Sequence, residues 1–157
     1  LAVDLGHDAS HISPIYEGIP LSRGVSRLPL GALDVTEYLI ESTAKHGHCW
    51  STTLERMLAS DLRERICYVA EDYEQAMGST SPLATETYQL PDGEVVTVDS
   101  GGILAPEILF KPRLAKLNES GIHLHAFDSI AKCDSSIRNI LYQNIVLVRW
   151  TCPTNAL

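Results

Sequence analysis

The chain has no long apolar run. Nothing in its 157 residues approaches the roughly 20 consecutive apolar residues of a membrane-spanning helix. No secretory signal pattern is read at Leu1, where the sequence opens without a methionine. Basic charge is scarce. Twelve Lys and Arg stand against 20 Asp and Glu, for a formal net charge of −8 and a pI of about 5.1. That deficit argues against nucleic acid as a direct partner, since neutralising phosphates takes clustered Lys and Arg. Cysteine is sparse and scattered. Cys49, Cys67, Cys133 and Cys152 form no Cys-x-x-Cys pair, which argues against a zinc ribbon. Cys67 and Cys133 lie at apolar positions and read as buried, reduced thiols. Histidine is more frequent, but His46, His48, His123 and His125 show no spacing that would gather four metal ligands.

What is present fits a globular chain. Hydrophobic residues make up 45% of it, an ordinary share, and the length suits one domain able to bury a core.

The informative stretch is Leu1 to Gly18. The apolar run Leu1-Ala2-Val3 ends on Asp4, Gly6 marks a turn, and a second strand-like run extends from Ser10 to Tyr16. This predicts a β-hairpin with a short polar loop. A strand ending in an aspartate and a glycine turn can hold a phosphate and its metal. The glycine lets backbone N–H groups approach the anion, and the carboxylate reaches the metal through water. The same residues also serve an ordinary hairpin turn, through their tolerance of unusual φ and ψ.

The rest of the chain predicts mixed α/β structure. Ile19 to Leu33 is punctuated by Pro20, Gly24, Pro29 and Gly31 and reads as irregular. Asp34 to His46 reads as a helix with Asp34 as cap and Gly47 as stop. Val35, Tyr38, Leu39 and Ser42 share its inner face. A second helix begins at Thr52, with Glu55 three residues on. Leu54, Met57, Leu58, Leu62 and Ile66 form its apolar stripe, and Arg63 and Glu64 fall on a solvated face. Cys67 to Ala70 reads as a short strand, and Gly78 to Thr85 as a Ser/Thr/Pro-rich loop. Asp92-Gly93 joins Glu86–Leu90 to Glu94–Val98 in a hairpin. Ser100-Gly101-Gly102 reads as a turn without the Lys-Ser/Thr of a phosphate loop. Pro106 to Phe110 begins as a helix that Pro112 ends. Ile122–Lys132 and Ser135–Tyr142 read as helices, and Ile145–Val148 as a strand.

Asp4-Leu5-Gly6-His7-Asp8-Ala9-Ser10-His11, followed by Pro14-Ile15-Tyr16-Glu17-Gly18, resembles the second phosphate-binding loop of actin. There the pattern is Asp-Ser-Gly-Asp-Gly-Val-Thr-His, then Pro-Ile-Tyr-Glu-Gly. Thr52-Thr53-Leu54-Glu55-Arg56, Cys67-Tyr68-Val69-Ala70, Leu90-Pro91-Asp92-Gly93, Pro106-Glu107-Ile108-Leu109-Phe110 and Ser129-Ile130-Ala131-Lys132-Cys133-Asp134 follow in the family's order. The chain is identified on these motifs as a divergent member of the actin and actin-related family. The likeness runs from Leu1 to about Leu147 and ends before the tail that starts at Arg149. An altered reading frame, an alternative exon or a truncated gene model is the expectation for that tail.

The resemblance implies part of an actin-like ATPase fold. Residues 1–32 correspond to the start of subdomain 3, 33–117 to subdomain 4, 118–148 to the return into subdomain 3, and 149–157 to a divergent tail. It implies ATP or ADP with Mg2+ as cofactor. Asp4, Gly6, His7, Asp8 and Ala9 would lie at the phosphates, with Arg63 and Glu64 at the base and ribose. Asp4 would hold the magnesium through water, and His11 would place the attacking water. Actin, actin-related and actin-binding proteins are the implied partners, in the cytoplasmic cytoskeleton or alternatively the nucleus.

Several positions depart from the family. His7 replaces an Asp, Asp8 a Gly, Leu33 and Ser60 each an Arg, and Gly31-Ala32 inverts an Ala-Gly pair. The expectation is a cytoskeletal protein with impaired ATP binding and hydrolysis. A non-hydrolysing interaction subunit, cytoskeletal or chromatin-remodelling, and a truncated nonfunctional product are the alternatives.

Overall fold

A computed structural model describes residues 1–78, 85–91 and 93–148. In chain order the strands are β1 (Ala2–Leu5), β2 (Ser10–Ser13), β3 (Ile15–Tyr16), β4 (Ile19–Pro20), β5 (Ser26–Leu28), β6 (Glu86–Gln89), β7 (Val95–Val98) and β8 (Val146–Val148). The α-helices are α1 (Ala32–Ala44), α2 (Thr53–Ile66), α3 (Tyr73–Gly78), α4 (Ser100–Ile103), α5 (Ile122–Ala131) and α6 (Ser135–Gln143). The fold is mixed α/β, as the sequence predicts.

The chain divides into two compact units. The first takes Leu1–Ala32 and resumes at Leu109. Its sheet has the order β5-β2-β1-β8. β1 and β2 pair antiparallel, and β8 lies parallel to β1. Side chains alternate across it. Val3, Ile12 and Leu28 are buried, while His11 and Arg27 are exposed. Helix α5 packs on β2 and β5 and adds Ile122 and Ile130 to the core.

Two expectations change in this unit. The Ser10–Tyr16 run breaks at Pro14, which has no N–H to continue the ladder. Ile15 and Tyr16 turn aside to pair with β4 instead. The stretch read as irregular also contains β5, which pairs with β2. Gly24 and Pro29 flank that strand without preventing it.

The second unit spans Leu33–Ile108. Helix α1 buries Val35, Thr36, Leu39, Ser42 and Thr43. It begins at Ala32, so Asp34 lies in its first turn and favours it through the helix dipole rather than as the cap. Helix α2 carries the full capping box. The Glu55 N–H donates to Thr52 Oγ1 at 3.2 Å, and the Thr52 N–H donates to Glu55 Oε2 at 2.7 Å. Its predicted apolar stripe faces inward only in part, with Leu62 buried and Leu58 and Ile66 half-buried. Leu54 and Met57 are 69% and 67% exposed, while Ala59, Leu62 and Arg63 are buried. The helix meets the core along its C-terminal half, so its early apolar residues have nothing to pack against.

The predicted Glu86–Val98 hairpin forms as β6 and β7, with Gly93 at φ 92°; Asp92 lies outside the described residues. Cys67–Ala70 is not a strand. The Tyr68 N–H donates to Ile103 O at 3.2 Å, and Cys67 Sγ reaches Gly102 O at 3.4 Å, so this segment lies against α4. Ser100–Gly102 is not a simple turn but opens α4. Asp99 caps that helix, accepting from the Gly102 N–H at 2.9 Å. Residues 105–109 are 3-10 rather than α-helical, and Pro112 starts a second 3-10 turn instead of ending the first. Glu71–Glu74, read as leading into a loop, begins α3, where Asp72 accepts from the Gln75 N–H at 2.9 Å. Residues 79–84 of the predicted Gly78–Thr85 loop, and the tail from 149, lie outside the described residues. No described helix is long and apolar enough to cross a membrane.

Candidate functional site

The loop between β1 and β2 is a tight turn held from behind. A Cβ on Gly6 would stand 2.5 Å from Ala9 O, so only glycine closes the turn this way. The Ala32 N–H donates to Gly6 O at 3.0 Å, and Ser10 Oγ donates to Leu30 O at 2.7 Å. Ala9 and Ser10 are buried. Gly31 touches the backbone of His7 and Ala9 so closely that a side chain there would overlap them. Residues 30–32 therefore fix the loop by backbone contact.

His7 and Asp8 form the tip. Their side chains are 71% and 78% exposed, and His7 Nε2 lies 3.7 Å from Asp8 Oδ1. Among the described residues, no acceptor meets the N–H groups of His7 and Asp8. The tip thus presents two open backbone donors and an imidazole, but also a carboxylate.

The sheet register brings a third strand to this site. Asp4 pairs with His11, and His11 pairs with Arg27. A carboxylate, an imidazole and a guanidinium thus stand in one row across β1, β2 and β5. They share the face opposite Val3 and Ile12, because successive side chains alternate. Arg27 was missed in the sequence. Once β5 is recognised, counting alternation back from buried Leu28 would have found it.

Asp4, Gly6, His7, Asp8, Ala9 and His11 therefore belong to one hairpin. Arg63 and Glu64 belong to the other unit. There Arg63 is buried, with its side chain 3% exposed, and its Nη2 donates to Glu64 Oε1 at 3.1 Å. The solvated face expected for Arg63 is thus corrected. Its long stem packs in the core beside Ala59 and Leu62, and the adjacent carboxylate meets its charge. The histidines are engaged elsewhere. His46 faces Asp99, His48 faces Glu94, Ser26 Oγ meets His125 Nδ1 at 2.9 Å, and His123 stacks on Phe110. Among the described residues, no group of three or more His, Cys, Asp or Glu is arranged to hold a metal ion.

Comparison with known proteins bears out the family resemblance. The family model described as Actin matches residues 1–149. Centractin of Schizosaccharomyces pombe is 34% identical over 149 residues, covering 94% of this chain. The chain belongs to the actin family. It spans 39% of that centractin's length. Within this actin-family chain, the β1–β2 loop carries Gly6 at its turn and His7-Asp8 at its tip.

Proposed function

We propose that this chain is part of a divergent actin-like cytoskeletal protein whose nucleotide site binds ATP weakly and does not turn it over. The supporting observation is the Asp8 carboxylate at the exposed tip of the loop. In the family pattern a glycine stands there and the backbone approaches phosphate. A carboxylate brings like charge to an anion and adds bulk to the approach. Each effect is worth one to a few kcal/mol, on the scale of a charge-assisted hydrogen bond lost or a charge left unpaired. The open N–H groups, His7 and Arg27 favour an anion, but the residues as a set fit a triphosphate poorly. The roles implied for Asp4 and His11 are accordingly idle, as is base and ribose contact by Arg63 and Glu64, with Arg63 committed to the core.

The polypeptide partners we propose are actin, actin-related and actin-binding proteins in the cytoplasmic cytoskeleton. A second reading, a non-hydrolysing interaction subunit, is favoured by Leu54 and Met57. They stand one helical turn apart and exposed on α2, as contact residues for another protein would.

A thermal melt of the intact chain with and without excess Mg-ATP tests the reading, since a ligand of the folded state raises the melting point by mass action. The expected result is a cooperative melt without a shift, and phosphate release no faster than in His11→Ala. An upward shift with release above that control would overturn it.

A further inference from the structure

Two histidines bracket strand β7. His46 and His48 flank Gly47, which has φ 92° and turns the chain at the end of α1. Glu94 and Asp99 flank β7 (Val95–Val98). His48 Nδ1 lies 3.2 Å from Glu94 Oε1, and His46 Nε2 lies 3.5 Å from Asp99 Oδ2. All four residues belong to the second unit, so the end of α1 holds the β6–β7 hairpin at both ends of one strand.

The two contacts differ chemically. The second ring nitrogen of His48 accepts from the strand itself, with the Thr97 N–H donating to Nε2 at 3.4 Å. A nitrogen that accepts carries a lone pair, which puts the single proton of the neutral ring on Nδ1, facing the Glu94 carboxylate. The His48 ring is 15% exposed, whereas the Glu94 side chain it meets is 59% exposed, so the ring is largely shielded and the carboxylate faces water. His46 accepts from no strand amide among the described contacts. It faces Asp99, which also accepts from Ser42 Oγ at 2.8 Å and from the Gly102 N–H at 2.9 Å.

We propose that His46 and His48 form a pH-sensitive clasp on the β6–β7 hairpin, in which protonation breaks the His48 hold on Thr97 while the His46–Asp99 pair tightens. Protonating His48 places a second N–H on Nε2, directly against the Thr97 N–H. Donor then meets donor, and the strand amide loses its acceptor. Protonating His46 adds a cation beside an anion already fixed by two hydrogen bonds. Acidification therefore takes the acceptor from the Thr97 N–H, while the flanking carboxylates, Glu94 facing His48 and Asp99 facing His46, keep their imidazolium partners.

The other ionisable groups of the packed elements leave this contrast intact. On α1 they are Asp34, Glu37, Tyr38 and Glu41, with Lys45 just beyond its end. Tyr38 has its pKa pushed up by partial burial, then by Asp99 and Glu41, and so stays neutral. On β6 they are Glu86 and Tyr88, whose hydroxyl donates to Asp61 Oδ2 on α2 at 3.0 Å. On α2 Arg65 is paired to Asp61 and lies over the Tyr88 ring. Cys49 is exposed in the connection, and α4 contributes no charge.

The test is amide hydrogen exchange at Thr97 in the intact chain, at about pH 7.5 and about pH 5.5, either side of the range where imidazoles take up a proton. Rates are corrected for intrinsic exchange. Protection should fall on the order of tenfold on acidification, the worth of one hydrogen bond. It should stay constant in His48→Gln, whose amide can donate and accept as the neutral ring does. Equal protection at both pH values, or the same fall in His48→Gln, would overturn the clasp. Ring 15N shifts of the unmodified chain give an independent reading should the variant fail to fold. A neutral His48 protonated on Nδ1 is expected, and one protonated on Nε2 would overturn the proposal.

Discussion

Gly31 and His7 touch backbone to backbone. A Cβ on Gly31 would overlap the His7 carbonyl group and stand 2.8 Å from the Ala9 amide nitrogen. This contact couples the start of α1 to the β1–β2 loop. None of the overlapping atoms is the end of a flexible side chain, so the loop itself would have to move. Gly31→Ala is expected to destabilise the chain by about 1–3 kcal/mol, the scale of overpacking a tight site. Urea denaturation reads this as a lower midpoint at unchanged slope. An unchanged midpoint would show that the loop yields freely.

The capping box of α2 gives a second, simpler expectation. Thr52 and Glu55 satisfy each other's backbone donors, and the Glu55 carboxyl is held below its ordinary pKa, first by the Thr52 N–H. Thr52→Ala should cost about 1 kcal/mol, whereas Thr52→Ser should cost much less because the hydroxyl remains. Equal losses in the two variants would show that the hydroxyl bond is not what matters there.

These two sites also show what the sequence could and could not reveal. Thr52-x-x-Glu55 and Gly93 carry their structural consequences locally, within a few residues. They were readable, as were α5, α6 and β8. Three features depended on distant partners and were not. β5 exists because β2 offers it an unpaired edge, and Arg27 faces the Asp4–His11 row only through that register. Arg63 is buried because α2 meets the core along its second half, which no helical periodicity encodes. Ser100-Gly101-Gly102 becomes a helix because Asp99 caps it and Gly102 lies where a Cβ would stand 2.6 Å from Val98 Cγ1. The Gly6 loop was legible as a candidate, but its clamp by residues 30–32 was not.

Asp99 makes stability depend on pH. Partial burial works to raise its pKa, but the Gly102 N–H, the Ser42 hydroxyl and His46 outweigh it and hold the carboxyl below its ordinary 3.8. A carboxyl depressed in the folded state stabilises it above the unfolded value. That stabilisation is lost as pH falls through the lower folded value. The midpoint of urea unfolding should therefore drop on acidification below about pH 4. Asp99→Ala should flatten part of that drop and cost on the order of 1 kcal/mol at neutral pH through the lost cap of α4. A variant with the full acid dependence of the parent would remove Asp99 from the explanation.

The loop tip gives the sharpest test of the proposed function, because the suspected lesion is small and reversible. If Asp8 keeps triphosphate away by charge and bulk, Asp8→Gly removes both and His7→Asp restores the carboxylate of the family pattern. Each position is exposed, so neither change opens a cavity, and stability without ligand should move by no more than about 0.5 kcal/mol. The double variant should gain a melting shift with Mg-ATP that the parent lacks. Affinity at least tenfold tighter, about 1.4 kcal/mol, is the expected gain from opening the backbone approach at residue 8, with the tip carboxylate moved to residue 7 where the family pattern carries it. Asp8→Gly alone should deliver most of it, since it frees the backbone approach. If the double variant shows no shift while folding cooperatively, the tip is not what limits nucleotide binding, and the cause lies outside the β1–β2 loop.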